Sequence, residues 1–455
     1  MARAARISAE RLVLFALGTL LLAVTNNING GRDHWRTVLQ ADAKGYHAYL
    51  PALVVHHDLH FGFMDLADSL GSNPALHYEY RTAPTGDTIN KYWCGTALMQ
   101  APFYLAAHGM LKAAGREAPG HGKPYVMAVC VAAIAYALLG LWAVGRLLAA
   151  WEVEQRRRAW TLVALMLGTH LFYYTIVAPG MSHVYSFALL ALLLLAAQRW
   201  AAGGGSRWIL ALGVLLGLLV LVRPVNGLAV LALPVVGGGW RSWSGRLRTL
   251  GTRLPALLAA TALGAGIAGL QPLVYKVSTG HWWVDSYPGE HFQWTYPHPV
   301  DMLFSYRKGL FVYTPLCALA LVGLPPLWRR CRPQAVAWVC FMLLLTYVLS
   351  SWWNWWYGGG FSARPFVEYL PLFALPLGLA LQTVRRPWRR VLVTAMVLLI
   401  ALCQVQTYQA RYFRIHYEEM DRERYWDEFL RIDRLAVAGA GAAIGPRCPG
   451  PPYNG

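Results

Sequence analysis

What most constrains this chain is the regular return of long, uninterrupted apolar blocks. A hydrocarbon core about 30 Å thick is crossed by a helix of roughly 17–25 apolar residues. Segments meeting or approaching that length lie at 12–25, 124–151, 159–177, 180–198, 208–222, 225–236, 255–275, 310–327, 335–351, 365–381 and 391–408. They predict about eleven transmembrane helices, with the short pair 208–222 and 225–236 the weakest members. In hydrocarbon each backbone polar group must find its partner inside its own segment, so the chain reads as an all-α integral membrane protein. A composition of 56% hydrophobic residues with 20 Trp excludes an ordinary soluble domain. The segment 12–25 could also be read as a signal peptide, with Ala23-Val24-Thr25 a weak cleavage site; a retained first span is expected.

The net charge of +18 raises the question of nucleic acid, and its distribution answers it. Arginines crowd into alternate loops, at 3–11, 156–158, 199–207, 241–253, 329–332 and 385–390, whereas the other short loops carry only Arg223, Arg307, Lys308 and Arg364. That alternation is the positive-inside pattern, so the basicity orients the protein in a bilayer and speaks against nucleic acid. Eleven spans with the amino terminus inside place every arginine-rich loop in the cytoplasm and the carboxyl end outside. Were 95–111 a twelfth span, every later basic loop would face outward. It is therefore expected as an external helix, in or against the interface or re-entrant. The domain organisation follows: a polytopic domain over 1–408, with a large first extracytoplasmic loop at 26–123 carrying interfacial helices, and a charged external tail at 409–455. In that tail Glu418 and Arg422 stand at helical spacing, and Met420, Tyr425, Trp426, Phe429 and Leu430 predict the apolar face of a packed helix. The acidic residues gather in the outer loops and the tail, and none falls at mid-membrane.

The first loop holds the motif of most interest, Asp42-Ala43-Lys44-Gly45-Tyr46-His47-Ala48-Tyr49-Leu50-Pro51. Apolar residues at helical spacing predict a short interfacial helix over 45–55, with Asp42 at or just before its amino terminus, where the helix dipole favours a carboxylate. Spacing alone makes Asp42 first a helix cap and second a catalytic group. Arg223, between two short spans, is costly in a membrane unless paired or wet; its planar fork suits a phosphate, and snorkelling to the interface is the equal alternative. Arg307 and Lys308 stand where a helix enters the membrane and could hold a substrate phosphate or ordinary headgroups. The run Trp352-Trp353-Asn354-Trp355-Trp356-Tyr357-Gly358-Gly359-Gly360 exceeds what an aromatic belt needs: Trp355 and Tyr357 offer faces to sugar or prenyl groups. Arg364 just beyond can pair with a phosphate or with Glu368 one turn on. His183, with His170, Tyr173, Tyr174 and Ser182, either joins the same cavity or ties helix ends together. The cluster His56-His57-Asp58 with His60 lacks a defined ligand spacing and reads as a solvated helix end, so no metal ligands are assigned. The seven cysteines show no CxxC spacing; Cys94 and Cys448 would both be external and could pair.

A first span, a large outer loop opening on an Asp motif and many further spans resemble the C-type superfamily of polytopic glycosyltransferases, which includes protein O-mannosyltransferases and aminoarabinose transferases. More locally the chain is similar to bacterial membrane proteins of that superfamily in Gly45-Tyr46-His47-Ala48-Tyr49-Leu50-Pro51, Ser182-His183-Val184-Tyr185-Ser186-Phe187, Lys308-Gly309-Leu310-Phe311 and Trp356-Tyr357-Gly358-Gly359. The resemblance implies an enzyme of cell-envelope glycan biosynthesis in the bacterial inner membrane. Its donor would be a sugar on a polyprenyl phosphate, and its acceptor a glycan, lipid or protein on the extracytoplasmic face. It implies Asp42 as general base, with substrate-binding roles for Lys44, Tyr46, His183, Arg223, Arg307, Lys308, Trp355, Tyr357 and Arg364. The superfamily's second-loop acid would be Asp285 or Glu290. Ala43 follows Asp42 where some members have a second acid, so the carry-over rests on one carboxylate. No cofactor is required by this chemistry, and a divalent metal is left open. The rival readings are a transporter or flippase of lipid-linked sugars, against which stand rim-located charges and the lack of repeats, and a surface-polysaccharide polymerase or ligase, which would be expected to carry a larger late loop.

Overall fold

The computed structural model describes residues 8–63, 80–83, 85–237, 243–245, 248 and 251–433. It is helical almost throughout. Among the described residues six helices are long and apolar enough to cross a membrane: α1 (Ala9–Ile28), α4 (Lys123–Ala150), α7 (His183–Ala201), the tandem α9 (Leu254–Ala268) and α10 (Leu270–Thr279), α11 (Arg332–Ser350) and α13 (Arg386–Arg411). Three shorter apolar helices accompany them: α8 (Ser206–Val222), a 3₁₀ helix Pro224–Val235, and α12 (Leu370–Thr383).

Two segments expected as single spans are broken. Residues 159–177 form α5 (Gln155–Leu167) and α6 (Leu171–Ile176), which part at Gly168. Residues 310–327 divide into Leu310–Tyr313, Pro315–Ala320, Leu321–Gly323 and Leu324–Arg330. Pro315, Pro325 and Pro326 lack the N–H that a continuous helix would need. Apolar content alone does not register such breaks. Helix α7 is the hub, with 89% of its apolar window buried against 11% for the α9–α10 pair at the periphery. The main core runs through α4, α5, α7 and α12. At the end expected to lie inside, buried Glu10 receives Arg158 at 3.0 Å.

The first outer loop folds down onto this bundle. Its helix α2 (Asp42–Pro51) starts three residues earlier than the spacing predicts, and every residue from Ala43 to Pro51 is buried, so it is a wedge and not an interfacial helix with one wet face. A π-type turn, Ala52–His56, follows it. Beyond comes a small antiparallel hairpin, β1 (Tyr80–Thr82) with β2 (Thr88–Asn90), which the sequence reading did not anticipate. Helix α3 (Gly95–Ala113) covers α2 and α4 and is not among the six candidate spans. Its first residue must be glycine: a Cβ on Gly95 would sit 2.3 Å from the Leu221 carbonyl carbon of α8. That close approach brings the loop beside the end of α8, where Arg223 begins.

The outer loop after α10 is stitched to the aromatic turn. Gln293 and His298 donate backbone N–H groups to Ser351 and Ser350, and Trp353 N–H donates to His291 O. The tail also differs from expectation. Among its described residues the tail forms one helix beyond the end of α13, α14 (Arg422–Glu428), so Glu418 and Arg422 do not share a helix. Met420 and Tyr425 are buried beside Tyr313 and Phe361, while Trp426 and Leu430 stay exposed. Cys448 lies outside the described residues.

Candidate functional site

Asp42 is the first residue of α2, and the residue before it, Ala41, has φ +51° and ψ −131°. A positive φ at a residue with a Cβ costs about 1–3 kcal/mol and is retained only where surrounding structure over-determines it. The side chain of Asp42 does not cap the helix. Oδ2 instead takes the Arg364 guanidinium at 2.8 Å, and Oδ1 accepts the Tyr92 hydroxyl at 2.8 Å. Burial pushes the Asp42 carboxyl up, but Arg364, the Tyr92 hydrogen bond and Lys91 outweigh it, and the net effect is a lowered pKa. Asp42 is thus an ionised carboxylate held between a cation and a phenol.

A second arginine–carboxylate pair lies alongside. Arg223 extends from the end of α8 and donates through Nη1 to Glu368 Oε1 at 2.5 Å. His183, the first residue of α7, places Nδ1 3.0 Å from the same carboxylate oxygen and 3.2 Å from Arg223. The Arg223 guanidinium also lies 5.9 Å from the Tyr357 ring centre. Its charge acts weakly at Arg364 and, with that of Arg364, on Tyr46. Tyr46, one turn along α2 from Asp42, packs against Tyr92 with the rings tilted at 45° and their centres 4.7 Å apart, and feels Asp42, Arg223 and Arg364.

The glycine-rich turn shapes the wall that carries Arg364. Tyr357, Gly358 and Ser362 have φ of +59°, +63° and +58°, and Gly360 has φ +153°. A Cβ on Gly360 would lie 2.9 Å from the Tyr174 hydroxyl, which itself bonds Phe361 O and N at 3.0 Å. Lys308 is buried and donates to the carbonyls of Gly360 and Tyr417, tying this turn to the tail. Burial, with Arg364 and Arg307 nearby, brings its ammonium down to about 7.

The structure therefore gathers Asp42, Tyr46, His183, Arg223, Tyr357 and Arg364 in one place, and engages the other expected residues elsewhere. Arg364 pairs with Asp42, not with Glu368 one turn on; Glu368 belongs to Arg223. Lys44 is buried two residues along α2, which turns a side chain about 200° from Asp42. Asp285 accepts its own loop's Tyr287 N–H at 3.0 Å. Glu290 receives Lys91 at 2.5 Å and Arg81 at 3.9 Å, clasping the first outer loop to the second. Arg307 lies 3.6 Å from the Trp356 ring centre and donates to Glu418 O. Trp355 packs against His298 and Trp356.

Sequence reasoning missed Tyr92 and Lys91; Tyr287 of the second outer loop lies 6.4 Å from Tyr92 ring to ring. It also missed Glu368 as the partner of Arg223, although an acid inside an apolar segment was a usable signal. Among the described residues no three His, Cys, Asp or Glu side chains are grouped to hold a metal. The His56 ring stacks on Phe63 at 4.2 Å, and Asp58 accepts the backbone N–H of His60 and Gly62.

No protein-family model matches the sequence, and no curated protein matches it. The three-dimensional structure does have solved counterparts. ArnT from Cupriavidus metallidurans bound to undecaprenyl phosphate superposes with a TM-score of 0.51 at 14% identity, over 88% of this chain and 64% of ArnT. The chain thus spans about two thirds of the length of ArnT. The archaeal oligosaccharyltransferase AglB from Archaeoglobus fulgidus, in complex with an inhibitory peptide and a dolichol-phosphate, gives a TM-score of 0.48 at 13% identity, over 92% of this chain and 57% of AglB. The fold is similar to that of ArnT.

Proposed function

We propose that this chain is a membrane glycosyltransferase that moves a sugar from a polyprenyl-phosphate carrier to a glycan, lipid or protein acceptor on the extracytoplasmic face. The observation that carries the reading is the Asp42–Arg364 pair at 2.8 Å with the Arg223–Glu368 pair beside it, on a fold shared with a protein solved with undecaprenyl phosphate. A carboxylate paired with one guanidinium, with a second arginine in the same site, fits a reaction in which a hydroxyl loses a proton while a phosphate departs. The amino terminus would lie inside, and the membrane would be the bacterial inner membrane.

In this mechanism the acceptor oxygen attacks the sugar's anomeric carbon and Asp42 takes its proton. The bond from that carbon to the phosphate oxygen breaks, and the polyprenyl phosphate leaves with the electron pair from the opposite face, so the anomeric configuration inverts. General-base assistance is worth about 10²–10⁴-fold. The leaving group gains a second full negative charge as it departs, and Arg364 and Arg223 are the cations placed to meet it. Arg307 and Lys308 hold backbone carbonyls and support the wall instead. The 409–433 segment contributes to that support through Tyr417.

The test compares envelope glycolipid and glycoprotein sugars by mass spectrometry in cells with the gene intact, deleted, or carrying Asp42→Asn. The deletion and the variant should lack the same sugar. A folded Asp42→Asn protein that restores it at the normal rate would refute the base assignment. Vesicles that move lipid-linked sugar without forming a glycosidic bond would favour the transporter reading.

A further inference from the structure

The two arginine–carboxylate pairs are chemically alike but differently built. Glu368 is held through Oε1 by Arg223 at 2.5 Å and by His183 at 3.0 Å, its Oε2 has no partner among the described residues, and its side chain is 2% exposed. Its chain neighbours Phe366, Val367 and Tyr369 are buried to within 1%. Asp42 follows a strained residue at the mouth of α2, and its side chain is 15% exposed. Arg364 is likewise incompletely used. Its Nη1 reaches Gly359 O only at 3.3 Å, and its Nε is buried with no partner among the described residues. A buried N–H without an acceptor costs about 1–3 kcal/mol, so this guanidinium stands ready for a further anionic oxygen.

We infer that Glu368 is a positioning residue that holds Arg223 permanently toward the carrier's phosphate, whereas Asp42 is an exchangeable partner that gives up Arg364 when that phosphate arrives. The inference rests on the proposed glycosyltransferase reading and deepens it. Glu368 touches no reacting atom; it sets the direction of the Arg223 fork from beneath. Asp42 and the phosphate compete for one guanidinium, so carrier binding frees the carboxylate that must next accept a proton. The order of events is built into the contacts: donor first, base released second.

Asp42→Asn and Glu368→Gln test this cleanly because each removes one negative charge and changes no volume. If charge alone mattered, both would bind an anion more tightly. The purified full chain in detergent micelles is titrated with farnesyl phosphate, with farnesol and inorganic phosphate as controls. Asp42→Asn should bind farnesyl phosphate about fivefold more tightly, and Glu368→Gln about fivefold more weakly, an ion pair's worth in each direction. Glu368→Asp should recover part of the loss. Tighter or unchanged binding by Glu368→Gln overturns the inference, as does unchanged or weaker binding by Asp42→Asn. If Glu368→Gln does not purify folded, Glu368→Asp takes its place, and wild-type affinity in that variant overturns the positioning role. Wild-type protein that binds farnesyl phosphate no better than farnesol removes the carrier reading itself, a different result from opposite-sign failure. Inorganic phosphate binding as tightly as farnesyl phosphate would make the site one for free phosphate and overturn the carrier assignment.

Discussion

Breaking the Asp42–Arg364 contact one side at a time is the most direct probe of the site. Arg364→Met keeps an unbranched apolar chain of similar reach but removes the cation 2.8 Å from Oδ2. Removing one partner of a fully buried ion pair costs about 3–5 kcal/mol, and an exposed pair is worth about 0–1 kcal/mol. The two side chains here are 14% and 15% exposed, and the Tyr92 hydroxyl still donates to Oδ1 after the substitution. Both facts pull the figure down, to about 2 kcal/mol for the single variant. Asp42→Asn removes the negative charge facing Arg364, leaving it an amide oxygen and the long contact to Gly359 O, and should cost a similar amount. The double variant has neither orphaned charge, so its loss should fall short of the sum by about 2 kcal/mol of coupling. Reversible unfolding in mixed micelles, followed by tryptophan fluorescence for all four proteins, measures the cycle. Losses that add to within about 0.5 kcal/mol would mean the two groups do not interact and would refute the site as described.

Two further outcomes follow from the same geometry. The Asp42 carboxyl is depressed in the free protein, chiefly by Arg364 against the opposing effect of burial. Its stabilising contribution is therefore present above the unfolded carboxylate value and lost as pH falls through the lower folded one. The acid limb of kcat/KM should lie below the ordinary carboxylate range, and that of kcat higher once phosphate has taken Arg364; coincident limbs would count against exchange. At Gly360, alanine would place a Cβ 2.9 Å from the Tyr174 hydroxyl at φ +153°. Gly360→Ala should lose about 1–3 kcal/mol of stability in the same unfolding assay, with weaker farnesyl phosphate binding because the Arg364 wall shifts; an unchanged protein would show that the turn does not shape the site.

Much of this protein is legible without coordinates. Apolar runs and alternating arginines specify an all-α membrane protein and its expected orientation, because desolvation acts on each segment by itself. The Asp42 motif, the Trp–Gly turn and Arg223 stand out for the same reason, as polar or glycine-rich residues at sites an apolar chain would avoid. What no local pattern contains is pairing. Arg364 is one turn from Glu368 in the chain yet meets Asp42, more than three hundred residues away. Glu368 turns instead to Arg223 and His183 from two other helices. Tyr92 and Lys91, unremarkable in sequence, become partners of two carboxylates only because Gly95 lets α3 sit against α8. The breaks at Gly168 and Pro315 likewise escape a hydropathy reading, since apolar content reports where a segment can reside and not whether its hydrogen bonds run unbroken. Burial is a property each residue carries along the chain; which charge neutralises which is settled only when distant segments pack and leave one partner within reach.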